Sequence, residues 1–322
     1  MLGVSGVSVI FGGGLSPDDV GARVSVRHRR PDGVADVIGD LDFLDADRLT
    51  IRPSNGPLVV IEIGAVVAAR VVGPSARSAR DLEAVSARGW PALEHEWLGQ
   101  WWLRAAGGFT GRANSVRAQG DPGRPLDEAL RHVVRWYAER QLPPQVRVIV
   151  GSALDREMAA RGWTADRSAL MLTATIATIR ARVQMAPSRP VHVAAEPDAG
   201  WLGRYRDGAS ATLARSLLVA APGVSYARID VLVAGAAATA IGRAVVEPPW
   251  VGLAAIEVDP AARRQGHARA VVGTLADWAA TQGALRGYLE VAADNTAALT
   301  FYGTLGFALH HQYLYRTPPG SD

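Results

Sequence analysis

The sequence contains no cysteine and no lysine: all 34 of its basic residues are arginine. Without cysteine there is no disulfide framework, no thiolate nucleophile and no cysteine-bearing zinc site. Without lysine there is no Schiff-base amine and no phosphate-loop ammonium. No charge-free apolar run reaches about 18 residues, so no membrane span is expected. Residues 1–15 are apolar and glycine-rich but lack a basic lead, which reads as part of a disordered lead-in over 1–20 and not as a signal peptide. The cytoplasm is the expected compartment. Neither sign of charge dominates. The 34 basic and 31 acidic residues are interspersed and leave a net charge of +3, so a nucleic-acid partner is not expected. Glu94-His95-Glu96 has no further ligand type close by, so no metal is expected either. The sequence carries no signal for an oligomeric state. The replacement of every lysine by arginine, with abundant Ala, Gly and Val, points to a GC-rich genome.

What is present suffices for a core: 48% of the 322 residues are hydrophobic, enough for two domains or three if one is small. Residues 21–75 hold four or five short strands with period-two alternation, as in Arg23-Val24-Ser25-Val26-Arg27-His28. Turn chemistry breaks them at Pro31-Asp32-Gly33 and Pro53-Ser54-Asn55-Gly56, which suggests a small SH3-like barrel. Residues 80–186 read as helix, aromatic strand, helix over 126–140, strand, helix over 153–161, Gly162-Trp163, then a strand over 169–179. Residues 189–318 read as a mixed run of strands and helices. It includes a strand pair joined at Ala234-Gly235, a strand over 250–258, and a helix over 268–282 with Val271, Val272, Leu275, Trp278 and Ala279 on one face. The fold class is α+β with a mixed sheet.

Two stretches of the last block carry chemistry. Arg263-Arg264-Gln265-Gly266-His267-Ala268 lies between a strand and a helix. A glycine-bearing turn that opens a helix presents backbone N–H groups and the positive end of the dipole to an anion, and arginines add charge-assisted bonds to phosphate. About thirty residues on comes Asn295-Thr296-Ala297-Ala298-Leu299-Thr300-Phe301-Tyr302-Gly303-Thr304-Leu305-Gly306-Phe307. A dinucleotide fold would need Gly-x-Gly-x-x-Gly after an early strand, and none is present.

Together these stretches resemble the GNAT superfamily of N-acetyltransferases. Arg263, Gly266 and Ala268 match its first motif, entered through Val258-Asp259-Pro260; Asn295, Ala298, Tyr302, Gly306 and Phe307 match its second. The pair Gly162-Trp163 echoes Gly306-Phe307, so 80–186 reads as a degenerate GNAT-like lobe without a glycine-rich phosphate turn, preceding a complete GNAT domain over 189–318. With the barrel, the chain resembles an actinobacterial family, some of whose members are described as histone acetyltransferase-like. The resemblance implies acetyl-CoA as cosubstrate, without a metal. Its pyrophosphate would lie on the backbone of 264–270, with Arg263, Arg264, Gln265, Gly266, His267, Ala268 and Arg269 around it. Ile256, Val258, Asn295 and Ala298 would lie along the pantetheine arm. A bulge before the turn would splay two strands, and the Val258 N–H would face the thioester carbonyl. Tyr302 would protonate the departing thiolate. The base is open between Glu257 and Glu290, with Glu247, Asp259 or a water chain as weaker choices. Trp102, Arg112 and Asn114, around the glycine-rich 107–111, are candidates for the acceptor cleft, against the reading that this is a rigid packing turn. The expected partner is an amine, on a small molecule or on a protein, with the barrel leaning toward a macromolecule. The rival reading is an acetyl-CoA-binding regulatory module with no turnover.

Overall fold

The computed structural model describes residues 14–53, 55–73, 76–183, 190–205, 211–229 and 238–320. The chain opens with β1 (Arg23–Arg30), β2 (Gly33–Leu44), β3 (Arg48–Pro53), β4 (Val59–Glu62) and β5 (Val66–Val71). They form an antiparallel sheet in the order β4-β3-β2-β1-β5. Alternation along the strands sends Val24, Val26, Leu41, Leu49 and Ile51 into one core. Leu15 joins that core at 2% exposure, and Pro17–Asp19 forms a 3-10 turn capped by Ser16. The expectation of a disordered 1–20 is therefore corrected for its last residues, which an apolar anchor ties down; residues 1–13 lie outside the described residues. Gly21, at φ +94°, packs so tightly that an added Cβ would stand 2.6 Å from the Leu285 carbonyl oxygen. The small sheet is thus docked directly on the rest of the chain.

The next stretch comprises α1 (Ala76–Gly89), β6 (Glu94–Leu98), β7 (Trp101–Ala105), β8 (Val116–Arg117), α2 (Leu126–Ala138), β9 (Val146–Ile149), α3 (Ala153–Ala160), β10 (Thr164–Thr175) and α4 (Ile176–Val183). The last comprises β11 (His192–Ala194), α5 (Ala199–Arg204), α6 (Ala211–Leu218), β12 (Val224–Ile229), β13 (Ala240–Glu247), β14 (Trp250–Val258), α7 (His267–Thr281), β15 (Arg286–Ala292), α8 (Thr296–Thr304) and β16 (Ala308–Thr317). The turn expected at Ala234-Gly235 lies outside the described residues. The strand expected over 169–179 ends at Thr175. The Thr175 hydroxyl accepts the Thr178 N–H at 3.0 Å, and Ile176 and Ile179 turn into the core three residues apart, a helical spacing.

All these strands join one sheet, in the order β11-β12-β13-β14-β15-β10-β16-β9-β8-β7-β6. The order is palindromic about its centre: β10 and β16 lie side by side, flanked by β15 and β9, then by β14 and β8. Each half ends in a strand that crosses to the other half, β10 pairing with β15 and β16 with β9. The pairs β14–β15 and β8–β9 are parallel, with the helices α7 and α2 as their crossovers. The backbone closes alike after α8 and α3: Phe307 N–H donates to the Tyr302 carbonyl, and Trp163 N–H to the Met158 carbonyl. The echo between Gly162-Trp163 and Gly306-Phe307 is therefore structural, but the two halves share one sheet.

Candidate active site

The site forms where β14 and β15 part. They pair only through Trp250, Val251 and Gly252 against Arg286, Gly287 and Tyr288. Gly252 allows the close contact, since a Cβ there would lie 2.4 Å from the Tyr288 hydroxyl. Beyond it Ala255 takes φ +53° and the register with β13 slips between Ile241 and Arg243. A bulge of this kind bends a strand away from its neighbour. It opens a cleft of about 420 Å³ lined by residues 253–257 on one side and 289–292 on the other. Asp259 N–H donates to the Thr239 carbonyl across β13. Strand alternation then turns the N–H groups of Val258 and Ile256 away from β13, into the gap. Ile256 directly follows the bulge and lines the cleft, whereas Val258 does not. Both N–H groups face the gap, and of the two residues Ile256 is the one that lines the cleft.

The strand leads into the expected anion turn. Asp259 Oδ1 accepts the Ala261 N–H, and Arg264 and Gly266 both sit in the left-handed region, at φ +65° and +82°. Gly266 caps α7, and a Cβ built on it meets nothing within 4 Å, so the space ahead of the turn is free. The first turn of α7 holds no acid, leaving the N–H groups at its start with a favourable field for an anion. Gln265 reaches back toward the Ala261 carbonyl. His267 is buried. The Arg269 side chain is partly engaged within the protein. Its guanidinium donates to the Arg182 carbonyl at 2.6 Å and the Thr304 hydroxyl at 2.9 Å, tying α7 to α4 and α8.

Asn295 caps α8 by accepting the Ala298 N–H at 3.0 Å, and Asn295, Ala298 and Tyr302 all line the cleft. Tyr302 packs edge-on against Phe307 at 5.7 Å. Burial pushes its phenol well above the usual tyrosine range, so it stays protonated.

The carboxylates separate clearly. Glu290 lines the cleft, but both its oxygens are taken: Arg147 at 3.0 Å, the Tyr313 hydroxyl at 2.5 Å, and the Ser86 hydroxyl. Burial would raise its pKa, but Arg147 and then Arg112 outweigh that and hold it at about 2. Glu290 is therefore corrected from a candidate base to a fixed charge. Arg147 also holds Glu83 at 2.6 Å, and Glu83 accepts from His311. Glu247 pairs with Arg88, Asp259 pairs with Arg204, and neither lines the cleft. Glu257 does, half-buried, on the opposite strand face from Ile256.

Of the acceptor candidates, Arg112 is in the cleft. Asn114 is a fastener. Its Oδ1 accepts the Ala106 and Gly108 N–H groups, and its Nδ2 donates to the Phe109 and Thr110 carbonyls. Trp102 stacks on Trp97 at 5.4 Å and lines a different cavity, with Arg88 and Glu247. Both are corrected as acceptor residues. Tyr205, Tyr313 and Tyr315 line the cleft and were missed. The i, i+2 spacing of Tyr313 and Tyr315 on one strand face was the available signal. Among the described residues no group of three or more His, Cys, Asp or Glu is arranged to hold a metal. No described helix is long and apolar enough to cross a membrane.

Comparison with known proteins fits this geometry. A family model described as "Probable histone acetyltransferase Rv0428c C-terminal" matches residues 77–316, and "Rv0428c N-terminal Sm-like domain" matches residues 18–70. The small sheet, expected to be SH3-like, is thus matched as Sm-like. The chain is 32% identical over 311 residues to the probable histone acetyltransferase Rv0428c of Mycobacterium tuberculosis, covering 92% of this chain and 94% of that protein. It is 27% identical over 246 residues to the uncharacterized N-acetyltransferase YobR of Bacillus subtilis, covering 74% and 97%. A GCN5-related N-acetyltransferase from Kribbella flavida superposes with a TM-score of 0.57 at 15% identity, over 76% of this chain and 96% of that one. A tandem GNAT protein from the clavulanic acid biosynthesis pathway gives 0.53 at 13%, over 78% and 92%. At those identities the likeness is one of fold.

Proposed function

The chain belongs to the Rv0428c acetyltransferase family, a GNAT-type acyltransferase family, and from that premise we propose that it transfers acetyl from acetyl-CoA to a primary amine by direct attack. The observation that carries the reading is the parting of β14 and β15 after Gly252, with the Gly266 turn at the open end and Tyr302 inside. Acetyl-CoA supplies the acetyl group as an activated thioester. The turn over 264–270 fits its pyrophosphate, because the N–H groups converge on free space and no acid opposes them. Arg263 and Arg264 stand beside that space. Ile256 and Val258 offer their N–H groups along the gap, as a strand edge offers them to an added strand.

The residues of the cleft then divide the proton work. Glu257 takes the proton from the attacking amine as the C–N bond forms. The Ile256 N–H stabilises the charge that develops on the carbonyl oxygen. The C–S bond breaks, and Tyr302, which carries its proton, gives it to the departing thiolate as general acid. Glu290, locked by Arg147, holds Tyr313 in the wall.

The test is thiol release from acetyl-CoA over a mixed panel of free amines and peptides. Tyr302→Phe is expected to lose turnover and keep CoA affinity. A CoA complex with its pyrophosphate away from 264–270 would overturn the reading.

A further inference from the structure

One cation of the cleft keeps its hydrogen-bond donors unspent among the described residues. Arg167 also lines the cleft, but its guanidinium donates to Asp166 at 2.9 Å and to Gln145 at 2.9 Å. Arg147 is spent on Glu83 and Glu290. Arg243, behind Trp90, donates to the Gly89 and Leu218 carbonyls. Arg112 differs. Among the described residues its guanidinium makes no hydrogen bond and no ion pair within 4 Å. It lies over the Trp90 ring, 4.1 Å from the centroid. Trp90 is itself fixed, its Nε1–H donating to the Thr110 hydroxyl at 3.1 Å. The turn that carries Arg112 is fastened by the four hydrogen bonds of Asn114. A planar five-donor group is thus held in a tyrosine-lined cleft with one face covered and its donors unspent.

Burial would lower the pKa of Arg112, but the groups around it, the Glu290 carboxylate foremost, outweigh that; the N–H donors still lack a hydrogen-bonding partner, which is costly, and a guanidinium fork matches the two oxygens of a carboxylate. The phosphate turn does not supply that partner: residues 263–268 are absent from the lining of the cleft, whereas Arg112 lines it near the vertex, beside Leu253, Ala254 and Glu290. Glu257, the group assigned to take the proton of the amine, lines the same cleft. We propose that the acceptor is a small amine that also carries a carboxylate, an amino acid in the chemical sense. Its carboxylate would sit on Arg112 and its amine would face Glu257. This rests on the acetyl transfer argued above and narrows its acceptor. The volume supports it: about 420 Å³ must take the thioester arm as well, which suits a small acceptor over a folded polypeptide. A lysine side chain in a peptide brings no carboxylate to this position.

The experiment compares free amino acids with their carboxamides, which keep the amine and remove the negative charge, and with lysine-containing peptides capped at both ends. Thiol release is read with the full chain and acetyl-CoA. The acids are expected to exceed their amides in kcat/KM by about 10-fold or more, the scale of a hydrogen bond to a charged group. Arg112→Met is expected to erase that preference by raising KM for the acids. It should leave the affinity for CoA as it was and change the rate on amides far less than the rate on acids, and Arg112→Lys should restore part of the preference. Amides or capped peptides turned over as well as the acids would overturn the proposal and leave acetyl transfer standing. So would an Arg112→Met variant that binds CoA normally but slows every acceptor equally. Absence of thiol release with every amine would overturn the transfer reading and this proposal together.

Discussion

Two helices of this protein begin at equivalent places in the palindromic sheet and face opposite demands. The helix α7 follows β14, and α2 follows β8. Each start is preceded by a glycine-bearing turn, with Gly266 in one and Gly120 and Gly123 in the other. The expectation for the first half is the lack of a glycine-rich phosphate turn; its turn carries glycines but differs in chemistry. Pro125 occupies the cap position of α2 and has no N–H to offer. Asp127 and Glu128 stand in its first turn, where they satisfy the helix dipole from within. The Asp121 carboxylate accepts the Gly123 N–H at 2.7 Å. At α7 there is no acid in the first turn and no proline at the cap. The phenol has diverged too: the carbonyl that closes the turn after α8 belongs to Tyr302, and its counterpart after α3 belongs to Met158. One fold position can be an anion cradle or a self-satisfied helix start, and a few side chains decide which.

The comparison can be broken most severely at Tyr302. Removing its hydroxyl by Tyr302→Phe is expected to lower kcat by about 10²–10⁴-fold in steady-state thiol release, with CoA affinity by calorimetry unchanged. Next comes the charge cluster that joins the halves. Arg147→Met leaves Glu83 and Glu290 buried without their cation, and denaturant titration should show a loss of about 3–5 kcal/mol. A smaller effect transplants chemistry from α2. Ala268→Asp puts an acid in the first turn of α7, and CoA affinity should weaken by ~1–2 kcal/mol in the same calorimetric assay. The smallest concerns pH. Burial, with His311 and Arg286 nearby, lowers the pKa of His310 from 6.5 to about 4. The unfolded chain then takes up the proton first, so this residue's share of stability is complete above about pH 6.5 and declines toward pH 4. Thermal melts should show that decline, and His310→Gln should flatten it.

Much of the second half was legible because its signals are local. The Gly266 turn, the Asn295 cap and the Gly306-Phe307 closure each occupy a few consecutive residues, and each stands where expected. The internal echo at Gly162-Trp163 was legible for the same reason. What escaped was non-local. Glu290 reads as a free carboxylate until Arg147, 143 residues earlier, is brought against it. The exchange of β10 and β16 between halves leaves no local trace, since a strand's pattern does not name its neighbour. Trp102 stands only ten residues before Arg112 in the sequence, yet its strand carries it to another cavity. The bulge was expected before the turn but not at Ala255, because a left-handed alanine has no residue-type signature.

The central claim is that two related halves carry one CoA site, at α7. Calorimetric titration of the full chain with CoA tests it most directly, with Ala268→Asp beside the parent protein. The account predicts one CoA per chain and markedly weaker binding in the variant. Two CoA per chain, or a single site whose affinity is untouched by Ala268→Asp, would contradict it.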